Sequence, residues 1–490
     1  MGALALLVKA ALLAAFVLWQ PAHAQSVPQA VPALAAAAPE VRGTWLTTTA
    51  NDAIASPERS AQTMRRLREI GLNTVYVEVW KNGYTQFPSQ VLQRTLGVAQ
   101  RPSATLQDPG DKPLALPPRD LLQETLIEAH RQGLNYVGWF EYGFMAAHKS
   151  TMNHLRRMKP EWLSRDIQGN EVAPNGFVWL NPLHPEARRF LLELTLEAIQ
   201  RYDMDGVQFD DRIVWPYITM GYDAYTRQVY ASEHQGRQPP ADARDPGWMR
   251  WRADKLNALA QEFVSALRAA RPGMLVSLSP AVYPWSFEHY LLEWPLWARW
   301  PAASRWDEYV PQAYRMSYAA FQSTWQEQTQ ALQDTGAYRA QELVAGIRIQ
   351  GDGPDSSWAQ LRDSMLLARQ LGQGGHVLWF SRGVLDLYAT ELTAFYASSG
   401  AARSPRFPAG WRTASVPLVR DADQPLVWRL PMATSLPQAR PRLIGHDGQR
   451  WHYLDETIDS GDRSAAPRFV RLSAPWQRVE LIVDRRGEQR

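Results

Sequence analysis

Cysteine is absent from all 490 residues of the chain, and its absence excludes disulfide bonds and thiolate metal sites. Three catalytic motifs are missing as well: the GxSxG nucleophile elbow, the GxxxxGK[ST] phosphate loop, and a pair of histidines four residues apart. The run GQGG at 372–375 precedes a predicted strand instead of following one, so it does not predict a dinucleotide site. We therefore expect no cofactor and no metal.

The chain also lacks a large excess of charge of either sign. Lys and Arg together number 52 and Asp and Glu 49, which leaves a formal net charge of +3. This balance gives no electrostatic reason to expect nucleic acid or an acidic membrane surface as a partner. A content of 45% hydrophobic and 21% charged residues is typical of a folded globular protein. The 21 tryptophans are the unusual count.

The first 24 residues are typical of a secretory signal peptide. They combine Lys9, an apolar core and the small-residue ending AHA, so cleavage is expected after Ala24. A membrane anchor is the alternative, but Lys9 interrupts the apolar run and the cleavage-type site follows it at once. We expect a periplasmic or secreted protein with no integral membrane segment after cleavage, because no later run is long and apolar enough to span a bilayer. Residues 25–39, rich in Pro and Ala, are predicted to be a linker.

Between residues 40 and 400, short runs rich in β-branched and aromatic residues alternate with amphipathic helical patterns. The eight runs are 41–48, 74–80, 136–142, 206–211, 274–280, 308–314, 343–349 and 376–382. Helical patterns at 60–71, 118–133 and 185–203 lie between them. This alternation predicts an α/β fold, a (β/α)8 TIM barrel. Residues 405–490 show short strands with turn signals, which predicts a small all-β, sandwich-like C-terminal domain whose tryptophans fill its core.

The stretch DGVQFDD, residues 205–211, ends a predicted buried strand with two adjacent carboxylates. Catalytic groups of such barrels lie at the C-terminal ends of the strands, so Asp210 and Asp211 are expected at the mouth. Alternation along the strand puts Gln208 and Asp210 on one face and Phe209 on the other. Since a Phe suits the face that meets the helices, Asp210 is predicted to point into the barrel. The competing interpretation is that the pair caps a helix or holds a cation such as Arg212.

The other strand ends carry aromatic and polar residues that predict a sugar-binding pocket. Aromatic faces match the C–H face of a pyranose, while acids and amides bind its hydroxyl groups. A single Trp is more often a core residue, but aromatics at six of the eight strand ends are hard to explain by packing alone. The expected substrate-binding residues are Glu78, Trp80, Tyr84, Trp139, Tyr142, Trp179, Asn181, Gln208, Trp215, Tyr283, Tyr314 and Trp379.

Glycoside hydrolysis requires two carboxyl groups, one to protonate the leaving oxygen and one to serve as base or nucleophile. Asp210 is the first member of such a pair, and Glu141, Asp211 or Glu78 is the second. Glu141 is flanked by aromatic residues, and apolar surroundings raise the pKa of a carboxyl group and suit a general acid. The alternative role for Glu141 is to bind a sugar hydroxyl or an Arg. The predicted catalytic residues are Asp210, Asp211 and Glu141.

Four segments taken together resemble the glycosyl-hydrolase-like 10 family. They are EVRGTWLTTTAND, GLNTVYVEVWKNGYTQFPSQV, WLNP followed by HPEAR, and DGVQFDD. The resemblance covers about residues 40–400 and implies an exported bacterial (β/α)8 protein that acts as a polysaccharide glycosidase, with Asp210 or Asp211 as a central catalytic residue. The family's relatives include the hydrolase domain of periplasmic poly-β-1,6-glucosamine processing proteins.

DGVQFDD is also similar to the strand-four signature of family 18 chitinases, but with departures. Gln208 stands where that signature has Asp, and Arg212 stands where it has the catalytic Glu, so the substrate-assisted mechanism is not expected. The segment is similar again to α-galactosidase-type barrels, which use a strand-four Asp as nucleophile. We predict a glycoside hydrolase acting on a polysaccharide or oligosaccharide, with glucosamine-containing polymers among the candidate substrates. The alternative is a non-catalytic carbohydrate-binding barrel, which would carry the same acids and aromatics.

Overall fold

The computed structural model of the chain describes residues 39–100, 119–399, 404, 414–431, 440–458 and 469–484. The predicted signal peptide, residues 1–24, and residues 25–38 of the predicted linker lie outside the described residues. Within the described ranges, no helix combines the length and the apolar character needed to cross a membrane.

Eight parallel strands form the centre of the fold. Their bounds are β1 Val41–Leu46, β2 Thr74–Glu78, β3 Asn135–Phe140, β4 Gly206–Phe209, β5 Leu275–Leu278, β6 Glu308–Tyr309, β7 Ala345–Arg348 and β8 Gly375–Trp379. Each strand overlaps one of the eight predicted runs. Consecutive strands are neighbours in the sheet, and β1 also pairs with β8. The two edges meet where Val344 N donates to Tyr309 O at 2.9 Å, which closes the barrel and confirms the predicted fold.

Helices follow the strands and cover the outside of the barrel. The long ones are Pro57–Ile70, Leu121–Arg131, Pro185–Arg201, Pro246–Ala270, Tyr318–Asp334, Trp358–Gln370 and Ala389–Ser398, while β5 is followed by the short helices Trp285–Tyr290 and Trp294–Trp297. Their ends carry ordinary capping signals. Ser56 accepts a hydrogen bond from Arg59 N, and Gly71, with φ of 109°, ends the same helix.

The loops between strands and helices carry further short elements. They are helices Gln90–Leu96, His154–Met158 and Ala224–Glu233, the 3-10 turns Pro160–Trp162 and Ala340–Glu342, and the π turn Gly383–Leu387. Two hairpins pair Trp80–Lys81 with Tyr84–Thr85 and Met145–His148 with Phe177–Trp179. Both hairpins leave the C-terminal ends of barrel strands, so they enlarge the face where catalytic groups are expected.

The two faces of each strand pack into two separate apolar cores. The core inside the barrel includes Val41, Trp45, Tyr76 and Val137, and the core between strands and helices includes Val75, Val77 and Val207. Phe209 belongs to the outer core, where its ring lies 5.3 Å from that of Phe140 and 5.1 Å from that of Phe263. By alternation, Gln208 and Asp210 face the interior of the barrel, as the strand pattern predicted.

A ladder of hydrogen bonds crosses the barrel interior below its mouth. Trp45 Nε1 donates to Gln208 Oε1 at 2.7 Å, and Gln208 Nε2 donates to Ser277 Oγ at 2.9 Å. Ser277 and Tyr76 both donate to Glu308 Oε1, at 2.7 and 2.8 Å. Because both ends of the Gln208 amide are held, β4 is fixed two residues before Asp210. Gln208 therefore supports the mouth from below.

The C-terminal residues form two small antiparallel sheets with no helix in their described ranges. Their strands are Val416–Pro417, Val419–Arg420, Val427–Arg429, Arg440–His446, Trp451–Tyr453, Phe469–Arg471 and Arg478–Asp484. Trp428 lies in their own core, whereas Trp451 packs with Ile127 of the barrel helix Leu121–Arg131. Arg131 of the same helix pairs with Glu480 at 2.8 Å. The small sheets are thus joined to the barrel by apolar and ionic contacts.

Candidate active site

Four carboxyl groups lie at the C-terminal ends of three adjacent strands. Glu78 is the last residue of β2, Glu141 follows β3, and Asp210 and Asp211 follow β4. Two cations, Lys81 and Arg212, lie between them. We call these six residues the charge network. The network brings together the three predicted catalytic residues and the predicted binding residue Glu78.

Arg212 is the cation that joins the acids of β3 and β4. Its guanidinium lies 2.7 Å from Asp210 Oδ2, 3.5 Å from Asp211 Oδ1 and 3.6 Å from Glu141 Oε1. It also donates to the backbone carbonyl of Glu141 at 2.9 Å. The structure therefore contains the contacts of the competing interpretation, in which Asp210 and Asp211 bind Arg212. One guanidinium shared by three carboxyl groups cannot neutralise all of them, however.

Lys81 joins the acids of β2 and β3. Its ammonium lies 3.1 Å from Glu78 Oε2 and 3.3 Å from Glu141 Oε2, and these two carboxylates raise the pKa of Lys81 against the opposing effect of burial. Glu78 is fully buried, but Lys81 and hydrogen bonds from Thr47 and Thr48 more than offset that burial and lower its pKa. Glu78 is therefore an ionised anchor for Lys81.

Asp210 and Glu141 have pKa values shifted in the direction opposite to that of Glu78. Burial and the neighbouring Asp211 charge raise the pKa of Asp210 well above its usual range, and Arg212 opposes this shift. Burial also raises the pKa of Glu141, against Lys81 and Arg212. Because both groups contact Arg212, they titrate as an interacting pair. Such a pair binds a proton more readily than ordinary carboxyl groups do, which suits acid–base catalysis.

Hydrogen bonds distinguish the two carboxyl groups of this pair. Asp210 accepts bonds on both oxygens, from Asp211 N at 2.8 Å, from Arg212 and from Gln312 Nε2. Glu141 Oε2 faces Lys81 but accepts no well-aligned hydrogen bond from any described residue. Asp211 Oδ1 and Trp139 Nε1 also lack hydrogen-bond partners among the described residues. Buried polar atoms left in this state are costly, and a polar ligand in the mouth would satisfy them.

Four aromatic rings form a wall next to the charge network. The Trp379 ring lies 5.8 to 6.0 Å from the rings of Trp45, Trp139 and Tyr314, and it is nearly parallel to Tyr314. Trp45 and Trp139 are fully buried in the core inside the barrel, whereas Trp379 and Tyr314 are half-buried, so of these four rings only the last two face solvent. Burial and the charge of Asp210 raise the pKa of Tyr314, which places its hydroxyl in the field of the acids. We call these four residues the mouth wall.

Among the predicted binding residues, Trp139, Tyr314 and Trp379 lie in the mouth wall. Tyr142 lies beside the network, with Lys81 and Arg212 each 5.9 Å from its ring.

Other predicted binding residues are held in the core or away from the mouth. Trp80 is buried and donates to Gly143 O at 3.1 Å, and Trp215 is buried and donates to Met220 O at 3.0 Å. The Asn181 amide donates to Asp223 and Thr226, both at 2.9 Å. Tyr84 packs on His154, Trp179 packs on Tyr290, and Tyr283 lines an outer cavity beside the helix Tyr318–Asp334. None of these hydrogen bonds and ring contacts is with one of the four acids.

The described residues contain no group of three or more His, Asp or Glu side chains placed to hold a metal ion.

The family model described as Glycosyl hydrolase-like 10 matches residues 40–354, which include all six residues of the charge network. The chain belongs to this family. The matched range also holds β1 to β7 and leaves out β8 with Trp379.

Among curated proteins, this glycosyl hydrolase-like 10 chain is similar to glycosyl hydrolase YngK of Bacillus subtilis (strain 168), with 26% identity over 258 residues, covering 49% of this chain and 45% of the relative. It is 24% identical over 221 residues to glycosyl hydrolase DigH of Escherichia coli (strain K12), covering 44% of this chain and 45% of the relative. The match therefore spans about half the length of these relatives.

Among solved structures, the chain is similar to the PgaB (BpsB) glycoside hydrolase domain from Bordetella bronchiseptica. The TM-score is 0.55 at 15% identity, covering 74% of this chain and 99% of that domain. It is also similar to the catalytic domain of β-amylase from Paenibacillus polymyxa, with a TM-score of 0.50 at 10% identity, covering 74% of this chain and 98% of that one. Both likenesses concern the barrel fold.

Several residues of the candidate site were not predicted from the sequence. Thr47 and Thr48 follow the end of β1, so the rule that directed attention to strand ends could have found them. Tyr290, whose carbonyl accepts from Trp215 N at 3.1 Å, comes from a short helix well beyond β5. No local pattern in the sequence indicates its place near Asp211.

Proposed function

We propose that this chain is a glycoside hydrolase that cleaves a polysaccharide at the mouth of its barrel. The observation that carries the proposal is the pair formed by Asp210 and Glu141. The two carboxyl groups follow adjacent strands, share Arg212 and have raised pKa values. Beside them lies an aromatic wall suited to the flat face of a sugar ring. Acid, base and sugar platform are the parts that glycoside hydrolysis requires.

The hydrogen bonds support a division of roles within the pair. Glu141 serves as the general acid, since its Oε2 accepts no well-aligned hydrogen bond and is therefore able to direct a proton towards the ligand. It gives its proton to the leaving glycosidic oxygen. Asp210, held on both oxygens, serves as base or nucleophile at the anomeric carbon. Asp211 and Arg212 position Asp210, and Lys81 positions Glu141.

The charge of the mouth supports an amino-sugar polymer as the first substrate to test. The charge network holds four carboxyl groups and two cations, so it stays acidic even with one proton bound. An acidic cleft attracts a substrate that carries ammonium groups. A partly deacetylated glucosamine polymer has such groups, whereas xylan and cellulose do not.

One observation favours a second candidate, a carbohydrate-binding barrel without catalysis. Each of the four acids lies within 3.6 Å of Lys81 or Arg212. Acids that are ion-paired in this way can serve as fixed acceptors for sugar hydroxyl and amino groups without transferring a proton.

The test is oligosaccharide release, followed by mass spectrometry, from five polymers: partly deacetylated β-1,6-glucosaminan, chitosan, peptidoglycan, xylan and cellulose. We expect products from an amino-sugar polymer and none from xylan or cellulose. Binding to a polymer without any product would favour the non-catalytic candidate. The control is Asp254→Asn, which removes a charge from an exposed pair with Arg250 and is expected to leave release unchanged.

Export is part of the proposal and is supported by the N-terminal sequence alone. If residues 1–24 are a signal peptide, the mature protein begins at Gln25. N-terminal sequencing of protein recovered from the periplasm or medium of a bacterial host is expected to find that residue, and an intact Met1 on the recovered protein would contradict the proposal.

A further inference from the structure

A second group of aromatic rings lies on the same face of the barrel, away from the mouth wall. Tyr217 is in the loop after β4, and Trp285, His289 and Tyr290 are in the short helix after β5. Because both segments leave the C-terminal ends of neighbouring strands, the rings lie on the face that carries the acids. We call these four residues the outer platform.

The outer platform is one continuous set of ring contacts. The Trp285 ring stacks on the His289 imidazole at 4.5 Å and 22°, and it lies 5.4 Å from the Tyr290 ring. Tyr217 lies 5.5 Å from Tyr290 and 5.9 Å from His289. His289 Nδ1 is 3.1 Å from the Trp285 carbonyl, which holds the imidazole under the indole. The indole is therefore held in place by its neighbours.

Trp285 remains 42% exposed although one of its faces is covered by His289. A large indole that is held rigidly and still faces water is typical of a binding surface. Because the side chain is already ordered in the free protein, binding a ligand costs it little further conformational entropy. Tyr217 beside it has φ of 41°, in the left-handed region that non-glycine residues rarely adopt. The platform is thus a built surface on which a flat apolar ligand can stack.

Tyr290, at the inner end of the outer platform, is bound to the loop that follows Asp211. Tyr290 is buried, its hydroxyl accepts from Asn175 Nδ2 at 3.0 Å, and its carbonyl accepts from Trp215 N in the loop that begins at Asp211. Burial and the Asp211 charge raise the pKa of Tyr290 to about 12. Tyr290 in turn contacts the Trp285 ring. Asp210, by contrast, accepts a hydrogen bond from Gln312, two residues before Tyr314 of the mouth wall. The acids therefore lie near both the outer platform and the mouth wall.

We propose that the outer platform is a distal sugar-binding subsite, in which a pyranose of the polymer stacks on the exposed face of Trp285. This inference rests on the proposed function for the identity of the polymer. A polymer that occupies the mouth and the outer platform together makes contacts that a short ligand cannot make, so the subsite favours long substrates. It also implies that Trp285 contributes to binding only when the ligand extends beyond the mouth.

The test compares Trp285→Ala with Trp300→Ala in affinity electrophoresis through gels that contain each of the five polymers. Trp300 is a matched control because it is half-buried and stacked on Trp297 at 5.0 Å, in the segment that leads into the N-terminal end of β6. Trp285→Ala is expected to weaken polymer binding by about threefold to tenfold, the range for one lost ring contact. Trp285→Phe is expected to restore most of it, and Trp300→Ala to leave it unchanged.

A second readout is the rate on a polymer against the rate on a disaccharide substrate of the same sugar. Trp285→Ala is expected to lower kcat/KM for the polymer by the same factor and to leave the disaccharide rate unchanged. Equal polymer binding by wild type and Trp285→Ala, or wild-type protein that binds none of the five, would overturn the subsite. Binding that depends on Trp285 without any release of product would refute the proposed hydrolase and leave the subsite standing.

Discussion

Replacing Asp210 by Asn is expected to lower kcat on the cleaved polymer by about 10²- to 10⁴-fold, the range for loss of an acid–base group. The amide keeps the size of the side chain and still accepts a hydrogen bond, but it can neither take a proton nor attack the anomeric carbon. KM and polymer binding are expected to change little, because the mouth wall and the outer platform remain. Reducing-end release under saturating substrate gives kcat directly.

The matched variant for this experiment is Glu141→Gln, which removes the proposed proton donor. On an aryl glycoside whose leaving group needs no protonation, Glu141→Gln is expected to recover activity and Asp210→Asn is not. If Asp210→Asn alone recovered activity on the aryl glycoside, Asp210 would be the general acid and Glu141 the base or nucleophile. Full activity of both variants on the polymer would show that neither carboxyl group takes part in the chemistry.

Replacing Arg212 by Met is expected to lower the free energy of unfolding by about 3–5 kcal/mol at neutral pH. Removing one partner of a buried ion pair leaves uncompensated charge, and here three carboxyl groups lose their shared cation. Urea unfolding of wild type and variant measures the difference. Arg94→Met, which removes an exposed ion pair with Glu193, is the control and is expected to cost less than about 1 kcal/mol.

The decrease in the free energy of unfolding caused by Arg212→Met is expected to become larger as pH rises. Without the guanidinium, the pKa values of Asp210 and Glu141 rise further above those of the unfolded chain. A carboxyl group with a raised pKa in the folded state stabilises the fold below its unfolded pKa, and this contribution is lost as pH rises through the folded pKa. The difference from wild type is therefore expected to shrink at about pH 5 and to grow towards about pH 8. A difference that is independent of pH would contradict the charge network.

The barrel could be predicted from the sequence because apolar residues recur at different spacings in its strands and in its helices. β4 is an example: the alternation of Val207, Gln208, Phe209 and Asp210 correctly indicated which side chains face the helices and which face the barrel interior. The position of the acids followed from the same argument, since the C-terminal ends of parallel strands meet at one face.

The residues that the structure places away from the mouth lie where the chain has left regular strands. Trp80 begins a hairpin directly after β2, and this turn directs its ring into the outer core against Phe190 at 5.8 Å. Trp215 lies in a long loop held by buried Arg252, which donates to the carbonyls of Ile218 and Met220. The path of such a loop depends on distant residues, so alternation in the local sequence does not indicate where its side chains point.

The contacts by which the cations connect the acids were the other part that pattern analysis missed. Lys81 and Arg212 each follow an acidic residue closely in sequence, which is also common at solvated surfaces. Only the closed barrel shows that Lys81 contacts acids of β2 and β3 and that Arg212 contacts acids of β3 and β4. A network that spans three strands has no signature in any one of them.

The most direct test of the account is digestion of the amino-sugar polymers in water labelled with heavy oxygen, followed by mass spectrometry of the products. Hydrolysis places the oxygen of water on the anomeric carbon of the new reducing end and a proton on the leaving oxygen. We predict one labelled oxygen on each new reducing end from wild type and at least about 10²-fold less product from Asp210→Asn in the same time. Products without the label, or labelled products in equal amounts from Asp210→Asn, would contradict carboxylate-catalysed hydrolysis at this mouth.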